Sequence, residues 1–185
     1  PPSGSVKLES VAVFTGMCTL DNKVDLSDIS HQIDAIRIVH EKLYQSDEVT
    51  HIKIREYFQE LLSTVFSFYK RRVEIEYSIE DISIRTRTAI PLGLIINEIA
   101  TNAIKHGFTD EGEARFCVGL IKEKLENQWV LSISNTGKPF PKDIDLDNPE
   151  TLGLRLISAL VDQLEGTLEL QKEPHPVFTI RFPME

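Results

Sequence analysis

The hydrophobic period of the sequence changes near residue 71, and this change constrains the fold more than any other feature. Before it, apolar side chains recur at spacings of three and four over residues 27–45 and 54–69, which is typical of amphipathic helices. After it, residues 73–77 alternate apolar and charged side chains, as a strand with one solvated face does. The sequence therefore predicts a helical region followed by a region that contains strands.

This pattern divides the chain into two predicted domains. Residues 1–70 are expected to form a helical hairpin that pairs with a second copy in a four-helix bundle. Residues 71–185 contain pairs of consecutive strands, which favour an α+β sandwich with helices on one face of a mixed or antiparallel sheet. The expected elements are helices at 6–20, 27–45 and 54–69, a strand from Val73, a second strand before the next helix, a helix from Pro91 to about Lys105 that stops before Gly107, strands at 114–122 and 129–135, a loop at 136–148, a helix at 151–165, and strands at 167–171 and 177–182.

Composition narrows the function classes. The chain of 185 residues is 41% hydrophobic and 26% charged, which is typical of a soluble globular protein. Acidic residues outnumber basic ones by 29 to 20, and this argues against general binding to nucleic acid or anionic membranes. No apolar run approaches the roughly 18 residues of a membrane span, so no membrane contact is expected. Cys18 and Cys117 show no disulfide or metal spacing and are predicted to be free thiols in the cytoplasm.

The helix that follows Pro91 carries the most informative polar residues. Glu98, Asn102 and Lys105 stand at positions i, i+4 and i+7, so they share one face of the helix. A merely solvated face is one interpretation of this pattern. Asparagine has poor helix propensity, however, and its use at Asn97 and Asn102 favours a role for the amide oxygen, such as ligating a hard cation.

Two further segments combine a polar side chain with a glycine. An apolar-alternating strand ends at Asn135 and is followed by Gly137, which places a hydrogen-bonding group where the sheet opens. An Asx-type turn explains this segment equally well. Gly153 lies in the first turn of a helix capped by Thr151, where a glycine lets a ligand approach the backbone N–H groups. A flexible helix start is the alternative there.

Together these motifs resemble a known family. The chain is similar to a sensor histidine kinase of the HWE-related, second HisKA-type branch, whose catalytic domain belongs to the gyrase, chaperone and histidine-kinase ATPase superfamily. The resemblance implies a Bergerat-type α/β sandwich and a dimerisation region before it. It is carried by Pro91–His106 against the N box, Asn135–Gly137 against the first glycine box, Thr151–Leu154 against the second, and Ile38–Tyr44 against the second dimerisation helix.

The resemblance assigns the N-box residues to the phosphate end of a bound ATP molecule. Asn102 would bind a Mg²⁺ ion that bridges the phosphates of ATP, and it is the only metal ligand implied. Lys105 and His106 would contact phosphate oxygens. Glu98 would be the catalytic residue that positions or deprotonates the attacking group.

The glycine boxes would hold the rest of the nucleotide. Asn135 would hydrogen-bond the adenine amino group, Gly137 would let adenine approach the strand end, and Thr136 would add a hydroxyl group. Gly153 would open a helix start to the phosphates, and residues 138–152 would form a mobile lid. The implied cofactor-binding residues are Asn102, Lys105, His106, Asn135, Thr136, Gly137, Thr151 and Gly153.

Three departures from the family pattern stand out. The family has Asp where this chain has Asn135, and a neutral acceptor is expected to weaken adenine binding by on the order of 1–2 kcal/mol. Pro139 replaces a glycine and should stiffen the start of the lid. The phosphoacceptor histidine is missing, because Gly4 stands at its aligned position and no histidine precedes His31. Neither His31 nor the other candidate acceptors, His40, His51 and His175, has surroundings that favour this role.

The resemblance implies a cytoplasmic histidine kinase core that binds Mg-ATP and transfers the γ-phosphate to a histidine and then to a response regulator. It also implies a homodimer formed through the N-terminal helices and no nucleic-acid partner. The missing acceptor and Asn135 favour an alternative, a degenerate kinase that binds a nucleotide or a partner without phosphate transfer. An anti-sigma-type kinase that phosphorylates serine on a partner is a further alternative.

Overall fold

The computed structural model describes residues 51–67, 69–146, 148–149 and 151–184. The predicted helices over 6–20 and 27–45, the residues that resemble the dimerisation region, and Cys18, His31 and His40 lie outside these ranges. Within the described ranges, no helix has both the length and the apolar content needed to cross a lipid bilayer.

Seven strands and three α-helices make up the described part of the chain. The strands are β1 (His51–Lys53), β2 (Glu74–Ile79), β3 (Ser83–Arg85), β4 (Arg115–Glu123), β5 (Gln128–Asn135), β6 (Thr167–Gln171) and β7 (Val177–Pro183). The helices are α1 (Ile54–Ser67), α2 (Thr86–Asn102) and α3 (Leu152–Gln163), and α2 continues into a π-helical turn, Ala103–Gly107. The sequence predicted this order of elements from β2 onward, but it missed β1.

The main sheet has five strands in the order β2-β4-β5-β7-β6. The β2–β4 pair is parallel and the other pairs are antiparallel, so the sheet is mixed. One face buries alternate apolar residues such as Phe116, Val118 and Ile133 in the core shared with the helices, and the other face is largely polar. This confirms the predicted α+β sandwich with helices on one face of a mixed sheet.

Helix α1 is part of the same core as the sheet. Phe66 near its end contacts Phe116 of β4 edge-on, with 5.2 Å between ring centroids, and also contacts Phe108 at 6.2 Å. Leu61 and Leu62 of the same helix are fully buried in this core. The hydrophobic core of the catalytic domain therefore begins before the predicted boundary at residues 70 and 71. The division into a dimerisation region and a catalytic domain stays a prediction.

Helix α2 begins earlier than its sequence suggested. Pro91 was expected in the first turn, but the helix starts at Thr86 and Pro91 lies inside it. Thr88, Ala89 and Leu92 are all buried in the first two turns. Because their burial stabilises these turns, the helix tolerates the loss of the backbone hydrogen bond that Pro91 cannot donate.

The last turn of this helical segment is wider than an α-helix. The backbone N–H of Phe108 donates to the carbonyl oxygen of Ala103 at 2.9 Å, which is the i→i+5 bond of a π-helix. The sequence predicted an α-helix up to Lys105, whereas α2 ends at Asn102. The i+7 spacing therefore does not keep Lys105 on the face that Glu98 and Asn102 share.

Cys117 is a free, half-buried thiol on the polar face of the sheet, as predicted. Burial raises its pKa, and the neighbouring Glu76 carboxylate raises it further. Because the thiolate is the reactive form of cysteine, this environment favours an inert, protonated side chain.

The contact between α1 and α2 holds a buried hydroxyl group without a partner. Tyr57 is 3% exposed, its hydroxyl group makes no hydrogen bond, and burial raises its pKa. We expect Tyr57→Phe to raise the free energy of unfolding by about 1 kcal/mol, because it removes an unsatisfied buried polar group. Urea unfolding of the full chain measures this change.

Substitution of Gly93 tests the same contact between α1 and α2. A Cβ atom at Gly93 would lie 1.9 Å from the Tyr57 hydroxyl oxygen, so Gly93→Ala should destabilise the chain. The same substitution should cost less in the Tyr57→Phe background, since the hydroxyl group is then absent. A loss of stability in Tyr57→Phe itself would show that the hydroxyl has a hydrogen-bond partner.

Candidate functional site

The C-terminal half of α2 carries polar side chains that are largely removed from solvent. Asn97 and Glu98 are only 5% and 7% exposed, and Asn102 at the end of the helix is half-buried. A solvated helix face does not explain Glu98, because a carboxylate is rarely buried without a partner or a function. The structure therefore removes the simpler interpretation of the Glu98 position.

The Glu98 side chain lies against the start of α3. A Cβ atom at Gly153 would lie 2.1 Å from Glu98 Oε1, so a larger residue there would require the carboxylate to move away from the start of α3. Thr151 caps the helix as predicted, and its side-chain oxygen accepts from the backbone N–H of Leu154 at 3.4 Å. The positive end of α3 also favours the negative charge of Glu98.

A second contact joins the end of α2 to the first glycine motif. Gly137 has a φ angle of +114°, and a Cβ atom there would lie 2.2 Å from the carbonyl oxygen of Gly107. The backbone N–H of Lys138 donates to the same oxygen at 2.8 Å. Position 137 therefore needs a glycine for both its backbone conformation and this close approach.

Asn135 lies at the end of β5 and is 5% exposed. Its Nδ2 atom donates to the carbonyl oxygen of Thr136 at 2.8 Å and faces the Cα atom of Gly107, where a Cβ atom would lie 2.7 Å from it. An aspartate in the same conformation would place a carboxylate oxygen against the Thr136 carbonyl, without a donor between them. The amide therefore stabilises this strand end in a way that the family's usual carboxylate would not.

The hydroxyl group of Thr136 is engaged by the backbone that leads into β4. It accepts from the N–H of Arg115 at 2.9 Å and donates to the carbonyl oxygen of Glu113 at 2.7 Å. The residue thus ties β5 to the start of β4, and its hydroxyl group already has both a donor and an acceptor. This differs from the expectation of a hydroxyl group available to a ligand.

Lys105 and His106 lie in the π-helical turn, and both are exposed. The described residues contain no group of three or more His, Cys, Asp or Glu side chains that could hold a metal ion. A Mg²⁺ ion commonly uses one or two protein ligands and completes its coordination with water and phosphate oxygens. The half-buried amide of Asn102 fits that kind of site.

The structure brings two sets of predicted residues together. Glu98 contacts Gly153, and the end of the N-box helix contacts Asn135 and Gly137 through Gly107. The sequence identified Gly107 only as a helix stop and missed its contact role. The glycine directly after the N-box segment was the available signal, but nothing local indicated which strand end it would meet.

Two family models match successive parts of the chain. Residues 16–69 match the model described as histidine kinase, and residues 87–185 match the model described as histidine kinase-, DNA gyrase B- and HSP90-like ATPase. A blue-light-activated histidine kinase of Erythrobacter litoralis is 21% identical over 152 residues, which are 78% of this chain and 43% of that protein. The chain thus spans less than half the length of this relative.

Solved structures show the same fold. The histidine kinase domain of an Erythrobacter litoralis blue-light-activated histidine kinase superposes with a TM-score of 0.74 at 18% identity, covering 94% of this chain and 84% of that one. The Acinetobacter baumannii histidine kinase AdeS gives a TM-score of 0.55 at 16% identity, covering 95% and 91% of the two chains. The match over residues 16–69 supports the HWE-related histidine kinase branch that the sequence motifs resemble. The model that matches residues 87–185 covers more than half of the chain, and it shows that the chain belongs to the histidine kinase-, DNA gyrase B- and HSP90-like ATPase family.

Proposed function

We propose that this chain is the core of a cytoplasmic sensor histidine kinase that binds Mg-ATP. It transfers the γ-phosphate of ATP to a histidine and then to an aspartate of a response regulator. The family membership supports the kinase class, and the geometry around α2 supports the assignment of site residues. The observation that carries the proposal is the buried Glu98 carboxylate against the glycine start of α3.

In this contact the Glu98 carboxylate lies beside a helix N-terminus. Helix N-termini bind phosphate groups because their backbone N–H groups have no partner within the helix. Glu98 lies next to such a terminus and is largely shielded from water, which suits it to orient or deprotonate an attacking group near a phosphate. Gly153 keeps the approach to the helix start free of a side chain.

Asn102 lies one helical turn beyond Glu98 on the same face of α2. When bound, Mg²⁺ would neutralise charge on the phosphates of ATP, and the Asn102 amide oxygen would hold the ion beside them. Lys105 and His106, on the exposed turn that follows, would contact phosphate oxygens. Thr151 would contribute by fixing the start of α3.

The adenine end of the nucleotide would lie at the end of β5. The Nδ2 atom of Asn135 is used by the Thr136 carbonyl, so the amide oxygen is the atom suited to accept from the adenine amino group. Gly137 lies directly beyond this strand end and presents no side chain. Thr136 would act here by holding β5 against β4 rather than by contacting the base.

A nucleotide titration combined with labelled ATP tests the proposal. The full chain should bind ATP more tightly with Mg²⁺ than with a chelator, as measured by calorimetry. Incubation with γ-labelled ATP should then give an acid-labile label on the protein, because phosphohistidine is acid-labile. An absence of nucleotide binding under both conditions would refute the proposal.

A degenerate kinase is the second candidate function. The residue aligned with the acceptor histidine is Gly4, and two of the described histidines have other roles: His106 belongs to the proposed phosphate site, and the ring of His175 contacts Gly137. Nucleotide binding without any label would favour this candidate. An acid-stable label on a partner protein would favour the anti-sigma-type serine kinase instead.

The expected partners follow from the histidine kinase assignment. They are a response regulator and a second copy of the chain, joined through the N-terminal helices. The net charge of −9 supports the expectation that nucleic acid is not a partner.

A further inference from the structure

The first part of the predicted lid is attached to a neighbouring turn. We define the lid segment as residues 138–146 and the support turn, between β6 and β7, as residues 172–176. The backbone N–H of Phe140 donates to the carbonyl oxygen of Lys172 at 2.9 Å. The Phe140 ring also contacts Phe178 edge-on, with 5.7 Å between centroids. The lid segment therefore packs on the end of the main sheet.

Lys172 joins the two segments through its side chain as well as through its backbone. Its Nζ atom donates to the carbonyl oxygens of Lys142 at 3.0 Å and Ile144 at 2.6 Å, and the residue is half-buried. Hydrogen bonds from an ammonium group are stronger than those between neutral groups. By contrast, the ion pair between Lys142 and Glu173, at 2.8 Å, joins two largely exposed side chains and should stabilise the chain little.

The support turn also contacts the residue directly before the lid segment. The Nδ1 atom of His175 lies 3.2 Å from the carbonyl oxygen of Gly137, and a carbonyl can only accept, so the ring nitrogen donates. Gly137 is the residue that approaches Gly107 at the end of the N-box turn. The support turn thus contacts Gly137, directly before the lid segment, and the lid segment itself at Phe140, Lys142 and Ile144.

We infer that Lys172 is a positioning residue for nucleotide binding, which acts by holding the lid segment in place without contacting the nucleotide. This inference rests on the proposed function, because it assigns the lid segment to the adenine side of that site. Within the predicted lid, residues 138–146 then form a fixed wall of the site before the nucleotide binds. A fixed wall lowers the entropy lost on binding and so raises affinity.

Lys172→Met tests the inference in the full chain, because methionine keeps an apolar stem and removes the donor group. Without nucleotide, amide hydrogen exchange of Phe140 and of residues 143–146 should become about tenfold faster, since the segment opens more often. Affinity for ATP and ADP should fall together by about fivefold, because the wall lies on the adenine side. Lys53→Met is the matched control, because Lys53 makes an exposed ion pair with Glu56, at 3.2 Å, outside the proposed site, and it should leave both quantities within about twofold of the original chain.

The two measurements separate the inference from the proposed function. Unchanged exchange in Lys172→Met, or faster exchange with unchanged nucleotide affinity, would overturn the positioning role. If the unaltered chain binds no nucleotide, the proposed function fails and the positioning role fails with it. This holds even if faster amide hydrogen exchange in Lys172→Met shows that Lys172 holds the lid segment in place. Lys172→Gln, which keeps one donor group, should give intermediate values, and it provides the same readouts if Lys172→Met does not fold.

Discussion

Replacing Asn102 with alanine should lower the Mg²⁺-dependent affinity for ATP by about 100-fold, because the proposed metal site then loses its protein ligand. Asn102 is half-buried at the last position of α2, outside the apolar core, so the free energy of unfolding should change little. Asn102→Asp should also abolish the Mg²⁺-dependent binding of ATP with little loss of stability. Calorimetric titration with and without Mg²⁺ measures the affinities.

Thr101→Ala is the matched control for Asn102→Ala. Thr101 is the preceding residue of the same helix, is also half-buried and polar, and has no role in the proposed site. Its substitution should leave ATP affinity within about twofold of the original value. In the presence of a chelator, the Asn102 variants and the original chain should bind ATP with similar weak affinity. Equal Mg²⁺-dependent affinity in Asn102→Ala and the original chain would reject the assigned role.

Gly137→Ala should lower the free energy of unfolding by about 3 kcal/mol or more and remove measurable nucleotide binding. The residue has a φ angle of +114°, which an alanine adopts only with strain. In addition, the new Cβ atom would lie 2.2 Å from the carbonyl oxygen of Gly107, and backbone cannot move aside as a flexible side chain can. Urea unfolding gives the first quantity and nucleotide titration the second.

Substitution of Gly112 separates the cost of backbone strain from the cost of the steric clash. It has a φ angle of +94°, but a Cβ atom there would meet nothing within 4 Å. Gly112→Ala should therefore show the conformational cost alone, about 1 kcal/mol, and bind nucleotide normally. The difference between the two variants measures the close approach of Gly107 and Gly137. Similar losses of stability in both would mean that this approach is not a constraint on the fold.

The sequence predicted the strands well because their signals are local. Alternation in β2 and β4 to β7 set the polar and apolar faces of the sheet, and the structure follows them with small shifts at the ends. The capping role of Thr151 was also local, since a threonine before an apolar helix can be recognised from its neighbours alone. Short-range chemistry was therefore sufficient for these elements.

The remaining features depend on contacts between distant segments. Pro91 was expected to start a helix, yet buried neighbours on α2 extend the helix before it. The burial of Glu98 could not be predicted from its own helix, because Gly153, which lies against it, is far along the chain. Lys172 gave no sequence signal, since its partners are backbone carbonyls of the lid segment. Spacing can indicate a shared helix face, but it cannot show what covers that face.

The close packing of Gly107, Asn135 and Gly137 has a consequence for sequence divergence. Each of the three positions limits the side chain that either neighbour can accept, because Gly107 meets the amide of one and the backbone of the other. Whether a mutation at one position is tolerated therefore depends on the residues already present at the other two. A lineage that acquires aspartate at position 135 should first, or simultaneously, acquire compensating changes around the end of α2, so the order of these substitutions should matter.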